Sequence, residues 1–354
     1  MNKSNSPDVL LNLNAAIVSE AKVVAGSKAG YRLHGVYKEN GDFVVQSTVQ
    51  RGSIPKNGNS EPKQLATIQR RLGGEYLYGG EVSNHYGHLL LETFSRLKFL
   101  LQFDLPVIFC ELNSKESIIF WKLIDAWGLD RERVILLSKP TIVEKLHVYP
   151  PTMVIRHGAT REFAEAYELL GEKFLKQHAL SGNSDDRPVY LSRSKVTDTR
   201  RYIFGERIIE KIISKAGVDV VHMQDLPVQD QILLCLRRRR FFGFSGTAFH
   251  NLLFASAPKE ITFFSPKGLH GNFRIIENLK SNKWQHITPD LKGASPGGPW
   301  LLSLEGIFET CRACGLKDRE IWDGLEMYRE EIESFEEAQK KVVQRVAKGK
   351  RQNP

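Results

Sequence analysis

The sequence predicts an α/β protein made of two Rossmann-like units, and three observations support that prediction. The chain has 354 residues, which is too long for one ordinary core and suits two domains. Short apolar runs typical of buried strands alternate with longer segments of helical periodicity. At 241–256 the spacing changes from strand-like to helix-like across Ser245-Gly246, which predicts a strand, a tight turn and a helix. Such turns lie at the carboxyl ends of strands, where α/β proteins bind ligands.

The first part of the chain predicts a peripheral start followed by an α/β unit. Apart from the apolar stretches Val9 to Leu13 and Ala15 to Val18, we read residues 1–30 as small and polar, which predicts a frayed end or a short peripheral element. Residues 31–49 predict a hairpin that turns at Asn40-Gly41, and 52–63 predict a loop. The leucines of 84–103 recur at helical intervals and predict one long helix. Beyond it we expect strands at 106–110, 133–137 and 144–149, and helices at 115–127 and 161–178.

The small polar residues 181–186 mark the boundary before a second α/β unit. Its predicted elements are strands at 188–191, 218–222, 241–244 and 260–264, with helices at 205–216 and 226–240. A charged helix or helix pair is expected at 318–348, ending in a basic tail. We therefore divide the chain into an extension (1–30), a first Rossmann-like domain (31–182), a second one (183–290) and a helical segment (291–354).

Composition favours a cytoplasmic protein with anionic partners. Hydrophobic residues make up 41% and charged residues 26% of the chain, and neither a signal peptide nor a membrane span is evident. Cys110 and Cys235 lie in apolar runs and suit buried thiols, and the lone Cys311-x-x-Cys314 pair predicts two helix-face thiols rather than a zinc site. The net charge of +9 favours nucleic acid, acidic lipid or phosphorylated small molecules. No nucleic-acid-binding motif is present, and the absence of Gly-x-Gly-x-x-Gly disfavours a dehydrogenase or methyltransferase.

The segment from Asn84 to Glu92 places polar groups on one helical face. His88 and Glu92 are four residues apart, and Asn84 and Arg96 continue the stripe. An imidazole beside a carboxylate can act as a general base for an acceptor hydroxyl. A helical pair without catalytic function has the same spacing. Metal binding would need a third ligand such as His85, for which the spacing gives little support.

A second group of polar residues follows the predicted strand 188–191. Ser192-Arg193 stand at the end of that strand, and Arg200, Arg201 and Glu206 open the next helix. Arginine forks grip two oxygens of a diphosphate at once, so these residues suit a phosphate site, although solvated surface arginines would give the same pattern. The run 237–240 is best explained as a solvated helix end, with a polyanion patch as the alternative.

Taken in order, these motifs resemble glycosyltransferase family 61, whose members are often described as capsular polysaccharide biosynthesis proteins. The resemblance covers about residues 75–265 and rests on four segments: Asn84 to Glu92 with Ser95-Arg96-Leu97, Val189 to Arg193, Arg201 to Glu206 with Gln231, and Ser245 to Phe254.

The resemblance implies a GT-B fold, in which two Rossmann-like domains face a cleft and the second domain holds the nucleotide. It also implies inverting transfer from a nucleotide-activated sugar, with UDP favoured and no metal or other cofactor required. The acceptor would be a glycan or glycolipid of a surface or capsular polysaccharide, and the final helix can cross back to the first domain.

Five positions depart from the family pattern. Ser245-Gly246-Thr247 stands where the family has His-Gly-Ala, and His250 replaces that histidine only if the chain turns it inward. Gly205, Leu89 and Ser95 stand where the family has asparagine, tryptophan and proline.

The resemblance and the motifs together give a hypothesis for the site. Arg193 and Arg201, with Arg200 as a further candidate, would hold the donor phosphates, and the amides near Ser245 and Gly246 would add neutral donors. Glu92, oriented or replaced by His88, would take the proton of the acceptor hydroxyl. The remaining donor-site candidates are Glu206, Gln231 and Asn251, with His250, Asn84 and Arg96 as further candidates.

Two alternatives stay open at the level of sequence. A non-catalytic protein that binds anions or glycans on a degenerate glycosyltransferase fold would also carry a charge of +9. An enzyme of surface polymer synthesis could also touch an anionic membrane through 237–240 or the basic tail. No sequence feature indicates the oligomeric state.

Overall fold

The protein is described here from a computed structural model, which has a mixed α/β architecture. The structure describes residues 11, 13–25, 34–58, 65, 67–83, 85–111, 117–178, 186–196, 202–265, 268, 271–294, 300–330, 332, 333 and 337. Helices surround two main sheets, and most strand pairs in these sheets are parallel. The predicted α/β class is therefore confirmed.

The elements are labelled in chain order. The strands are β1 Ala16–Val24, β2 Gly35–Tyr37, β3 Gln50–Arg51, β4 Ile54–Pro55, β5 Arg71–Val82, β6 Val107–Glu111, β7 Val134–Leu137, β8 Thr141–Val148, β9 Met153–Val154, β10 Gly158–Ala159, β11 Val189–Leu191, β12 Ile203–Phe204, β13 Asp219–Val221, β14 Arg240–Phe244, β15 Glu260–Phe264, β16 Lys283–Ile287, β17 Leu291–Ala294 and β18 Trp300–Leu302. The α-helices are α1 Tyr86–Leu91, α2 Leu97–Gln102, α3 Ser117–Ala126, α4 Arg161–Gln177, α5 Glu206–Lys215, α6 Val228–Arg237, α7 Gly271–Leu279, α8 Leu304–Ala313 and α9 Asp318–Met327.

The first sheet has the strand order β2-β1-β8-β5-β6-β7, and its β8, β5, β6 and β7 run parallel to one another. β1 pairs antiparallel with both β2 and β8 and buries Val18, Ala21 and Val23. The predicted frayed end is therefore wrong for residues 16–24. The buried positions pass from even to odd numbers around Glu20, whose φ of 49° interrupts the alternation. That interruption conceals the strand pattern in the sequence.

The second sheet has the strand order β13-β11-β14-β15-β16, and every neighbouring pair is parallel. Counted from its first strand along the chain, this is the order 2-1-3-4-5 of a doubly wound sheet. β14 and β15 are nearly continuous apolar runs because helices cover both faces of a parallel sheet. The strands predicted at 188–191, 218–222, 241–244 and 260–264 are confirmed to within one residue at each end.

The predicted long helix at 84–103 is divided into α1 and α2. A 3-10 turn, Thr93–Arg96, separates them, and the backbone departs from helical geometry at Phe94 (φ −92°, ψ 21°). The Thr93 hydroxyl donates a hydrogen bond of 2.7 Å to the carbonyl oxygen of Glu81 on β5. This bond fastens the break to the first sheet, so a polar side chain overrides the helical spacing.

Helix α4 joins the two sheets in one packed core. Phe254, which follows β14, packs its ring 5.1 Å from that of Tyr167 on α4. A Cβ on Gly171 would lie 2.0 Å from the carbonyl oxygen of Phe254, so only glycine allows this approach. One apolar cluster accordingly contains buried residues from both parts of the chain, among them Leu90, Phe94, Phe120, Leu170, Ile232 and Leu253.

The helices α8 and α9 pack against α5 beside the second sheet. A Cβ on Gly324 of α9 would lie 2.8 Å from Ile212 of α5, and Cys311 and Cys314 are buried free thiols in the same cluster. The predicted helix-face position of Cys311 is confirmed. In the described residues this segment packs on the second unit.

The described helices are short and amphipathic. The longest of them, α4, has 17 residues and buries one side that includes Phe163, Tyr167 and Phe174, while its charged residues face outward. Within the described part of the chain, no helix combines the length and the apolar character needed to cross a membrane.

Candidate active site

The second sheet places two chain turns side by side at its switch point. β11 lies between β13 and β14, so the connections after β11 and after β14 leave the sheet in opposite directions. Ser192-Arg193 follows β11, and Ser245-Gly246 follows β14. Crevices at such switch points, beyond the carboxyl ends of the strands, are where doubly wound sheets bind ligands.

Arg193 is fixed at this crevice from two sides. Its main-chain amide donates a 3.0 Å hydrogen bond to Glu206 Oε1, and its guanidinium donates to the carbonyl oxygen of Ser245. Glu206 is fully buried and also accepts a 3.2 Å hydrogen bond from the Tyr190 hydroxyl. Burial raises the pKa of Glu206 to about 8, with the bond from the Arg193 amide acting in the opposite direction. Glu206 therefore positions Arg193 from within the core.

The Ser245 amide of the Ser245-Gly246 turn is engaged within the second sheet and does not face the cavity as a free donor. The Ser245 amide donates a 2.8 Å hydrogen bond to the carbonyl oxygen of Phe264 on β15, so that donor is already used. The segment Thr247–Phe254 is a 3-10 helix and not the expected α-helix. The turn instead supplies a carbonyl to Arg193, whose Cδ would lie 3.2 Å from a Cβ on Gly246. Glycine at 246 leaves space for the arginine side chain.

Helix α1 carries a hydrogen-bonded chain of three side chains. Nδ1 of His88 lies 2.5 Å from Glu92 Oε2, and Arg51 of β3 donates two bonds to the same carboxylate, at 2.7 Å and 2.9 Å. The predicted i,i+4 pair of His88 and Glu92 is thus present. Among the described residues, Nε2 of His88 has no hydrogen-bond partner, so one ring nitrogen is held and the other is available.

The charge of Glu92 is set by these partners. Burial raises its pKa, but the hydrogen bonds from His88 and Arg51 outweigh burial, and the net shift is downward. Glu92 therefore stays ionised, and only 12% of its side chain is exposed, against 30% for His88. A carboxylate in this state orients an imidazole and stabilises its protonated form better than it accepts a proton itself.

Side chains of α1 contact the 3-10 helix beyond the second sheet. The Tyr86 hydroxyl donates to Asn251 Oδ1, and Asn251 Nδ2 donates a 3.3 Å bond to Gln231 Oε1 on α6. A Cβ on Gly87 would lie 2.7 Å from Thr247 Cγ2 and 3.1 Å from the His250 ring. Glycine at 87 therefore lets the two parts of the chain meet closely.

A cavity of about 1340 Å³ lies between these groups. His88 and Gly87 of α1 line it from the first part of the chain, and Arg193, Ser245, Gly246 and His250 line it from the second. The volume exceeds the usual range for a single small ligand, so the cavity can hold two reactants side by side.

The lining is predominantly basic. Its described charged residues are Arg51, Lys56, Lys122, Arg156 and Arg193 against Asp125 and Asp225. The two acids are neutralised outside the cavity wall, since Asp225 pairs with Lys195 at 2.7 Å and Asp125 pairs with Arg131 at 2.5 Å. The cavity therefore favours anionic ligands.

Comparison with known proteins identifies the family. A family model described as Glycosyltransferase 61 matches residues 86–262, half of the chain, and spans His88, Glu92, Arg193 and Ser245. The chain belongs to glycosyltransferase family 61. Family 61 membership supports glycosyltransferase activity with a sugar donor and a glycan acceptor. A search of curated proteins found no match to the chain.

Two departures from the family 61 pattern have a structural explanation. Gly205 has a φ of 95°, a left-handed conformation that glycine adopts freely and that asparagine tolerates better than most residues. His250 turns inward and lines the cavity, with its ring centroid 5.0 Å from that of Phe273. An imidazole is thus present in the cavity although the position before Gly246 is serine.

The structure brings most of the expected family 61 site residues to one region, in two layers. Lining the cavity are His88, Arg193, Gln231, Ser245, Gly246 and His250. Glu92, Glu206 and Asn251 lie behind that wall and bond to residues that line it. The expected positions of Asn84, Arg200 and Arg201 lie outside the described residues.

Arg96 lies elsewhere. It is buried and donates hydrogen bonds to the carbonyl oxygens of Tyr149 (2.8 Å) and Gln46 (2.5 Å), with its guanidinium carbon 5.3 Å from the centre of the Tyr78 ring. Burial lowers its pKa. Arg96 therefore lies in the core and not in the cavity. The polar stripe on the helix did not distinguish it from the cavity residues, because such a stripe also includes side chains that bind backbone carbonyls.

Sequence reasoning missed Arg51 and Arg156. Arg51 belongs to the two-residue strand β3, and Arg156 follows β9, so neither stands in a periodic segment. The contact of Arg51 with Glu92 joins residues 41 positions apart, for which no local pattern exists. Within the described residues, no three side chains of His, Cys, Asp or Glu converge as a metal site would require.

Three of the four arginines in the run 237–240 form ion pairs with nearby carboxylates. Arg238 pairs with Asp219 at 2.6 Å, and Arg239 and Arg240 pair with Glu260 at 2.9 Å and 3.3 Å. These contacts favour the helix-end interpretation of the run over a polyanion patch.

Proposed function

We propose that this family 61 protein is an inverting glycosyltransferase of GT-B type, which transfers a sugar from a nucleotide-activated donor to a hydroxyl of a glycan acceptor. The observation that supports it best is one cavity lined by Arg193, at the switch point of a parallel sheet, and by His88, whose other ring nitrogen is held by a carboxylate. The two main sheets, the second fully parallel and the first parallel over four of its six strands, are consistent with a GT-B arrangement.

The donor diphosphate binds at the Arg193 end. The guanidinium is held against the Ser245 carbonyl, and the buried Glu206 fixes its main chain, so the cation is in place before the ligand arrives. A preorganised cation stabilises the negative charge that develops on the leaving nucleotide without a reorganisation cost. Arg200 and Arg201 remain candidates for the same role, UDP is the favoured nucleotide, and the reaction needs no metal.

The acceptor hydroxyl lies at the His88 end. Its proton passes to Nε2 of His88 as its oxygen bonds to the anomeric carbon, and the bond from that carbon to the phosphate oxygen breaks. One such displacement inverts the anomeric configuration. His88 is better suited to be the base than Glu92, because Glu92 has a lowered pKa and lies behind the cavity wall.

Glu92 and Arg51 support this base. The carboxylate holds the ring through Nδ1 and stabilises the imidazolium that forms, while Arg51 keeps the carboxylate oriented and ionised. Gln231 and Asn251 fix the position of α1 through Tyr86, and Gln231 also lines the cavity. The product would be a surface or capsular polysaccharide assembled in the cytoplasm, with peripheral contact at an anionic membrane.

A thermal-shift panel of free nucleotides and nucleotide sugars tests this function. A ligand at 100 times its Kd should stabilise the protein by about 2.7 kcal/mol. We expect one nucleoside diphosphate and its sugar conjugates to raise Tm, and the release of nucleotide to continue in EDTA. Binding of glycans with no response to any nucleotide or nucleotide sugar would support the non-catalytic alternative instead.

A further inference from the structure

Arg156 has an unusual backbone conformation beside the cavity. Its φ is 63°, and in the described part of the chain Glu20 is the other non-glycine residue with a positive φ. A residue with a Cβ adopts this conformation at an energetic cost, and such residues persist where surrounding contacts impose them, often at ligand sites. Arg156 also lines the cavity.

Asn272, from the second part of the chain, holds Arg156 in this conformation. Its Oδ1 accepts a 2.8 Å hydrogen bond from the Arg156 amide, across 116 residues of sequence. Asn272 is buried at the second position of α7 and lines the cavity as well. The turn at Arg156 is therefore built by both parts of the chain.

The contacts around this turn lead back to His88. On one side, Ile155 forms a β-bridge with Arg51. Arg51 binds the Glu92 carboxylate, and that carboxylate holds His88. On the other side, Phe273 packs on His250, and the His250 ring lies against Gly87, the residue before His88. Arg156 thus belongs to the wall that surrounds the proposed base.

The charge of Arg156 is available to a ligand. Its side chain is exposed, and among the described residues it has no ion-pair partner. Lys56, which follows the β3-β4 hairpin that carries Arg51, lines the same cavity and likewise has no ion-pair partner among the described residues. The two acids of the lining are already neutralised, by Lys195 and Arg131. An anionic ligand in this cavity would meet these two cations without a competing carboxylate.

We propose that the acceptor is an acidic glycan, and that Arg156 and Lys56 bind its carboxylate or phosphate group while His88 takes the proton of its hydroxyl. This inference rests on the proposed function and specifies its substrate class. An arginine fork binds either anion through two parallel hydrogen bonds, and the fixed backbone of Arg156 points that fork without loss of main-chain freedom.

Calorimetric titration of the full chain with two matched pairs of sugars tests the inference. One pair is trigalacturonate and its methyl ester, and the other is maltotriose 6-phosphate and maltotriose. The protein is first saturated with the nucleoside diphosphate that gives the largest thermal shift, so that the Arg193 end is occupied. We expect one acid to bind at least about 10-fold more tightly than its neutral partner, and the pair that does so identifies the anionic group.

Variants of Arg156 assign that preference to the residue. Arg156→Gln should reduce the affinity for the acid about 10-fold, leave the affinity for the neutral sugar unchanged and leave nucleotide binding unchanged. Arg156→Gly relieves the positive φ and should show the same loss, so a folding defect in the first variant would not decide the result. Arg156→Lys should retain part of the preference. Arg274→Gln, an equal charge change at an exposed residue of α7 outside the lining, is the matched control.

Three results would overturn the inference. The first is that the parent binds neither acid, or binds acid and neutral sugars with equal affinity. The second is that both Arg156 variants keep the parental preference for the acid. The third is that those variants lose nucleotide affinity, which would place Arg156 at the donor. The failure of the proposed function is distinguishable, because it would appear as the absence of any response to nucleotides and nucleotide sugars in the parent protein.

Discussion

Replacement of Arg193 by alanine tests the donor end of the site. The guanidinium already contacts the Ser245 carbonyl, and the Arg193 amide is fixed by Glu206, so the substitution removes a prepositioned cation and little else. A hydrogen bond to a charged group contributes about 1.5–3 kcal/mol, which corresponds to a loss of about 10- to 100-fold in nucleotide affinity. The nucleotide affinity of Arg193→Lys should lie between those of the parent and of Arg193→Ala, because a lysine keeps the charge but not the planar fork.

Calorimetric titration of the nucleoside diphosphate provides the assay, with circular dichroism to confirm folding. Arg207→Ala is the matched control, since Arg207 is an exposed arginine on α5 that does not line the cavity. An Arg193→Ala protein that is folded and binds the nucleotide with the parental Kd would refute the assignment of the donor site.

Three other substitutions test separate parts of the site. Glu92→Gln should slow transfer at least about 10-fold at unchanged nucleotide affinity. The reason is that an amide cannot accept hydrogen bonds from both His88 and Arg51 as the carboxylate does. Transfer at the parental rate would exclude Glu92 from the mechanism. Gly87→Ala should lower the free energy of unfolding in urea by about 1–3 kcal/mol, because the added Cβ would lie 2.7 Å from Thr247 Cγ2; Gly73→Ala, where the nearest atom is 3.5 Å away, is the control, and equal effects would contradict the close packing. Glu206→Gln should make stability less dependent on pH between about 4.5 and 8, since burial raises the folded pKa to about 8 from the ordinary value of 4.5. The folded protein then binds more protons than the unfolded chain in that interval, so the free energy of unfolding of the parent falls as pH rises through it. Urea unfolding at several pH values measures this slope, and equal slopes for parent and variant would refute the assignment.

The second sheet was predictable because its strands are apolar on both faces. Runs such as Phe241 to Phe244 and Ile261 to Phe264 stand out from the charged helices around them. Edge strand β16 was missed, since Lys283, Gln285 and His286 make it half polar, and this pattern does not differ from a loop. The break at Phe94 was missed because it depends on the hydrogen bond from Thr93 to another strand.

The candidate site was predictable where its contacts are local. The pair of His88 and Glu92 follows from a spacing of four residues on a helix, and the position of Arg193 follows from the end of a strand. The contacts of Arg51 with Glu92 and of Arg156 with Asn272 join segments that are distant in sequence. Nothing in the local residue pattern encodes such pairs, so they became evident only from the folded chain.

The rate of nucleotide release from the donor sugar, measured at saturating donor for the parent and for His88→Gln, tests the proposed active site most directly. Water replaces the acceptor in this assay, and its proton still has to pass to a base. If His88 is that base, the variant should release nucleotide about 10²- to 10⁴-fold more slowly while it binds the nucleotide with the parental Kd. A variant that releases nucleotide at the parental rate would contradict the account.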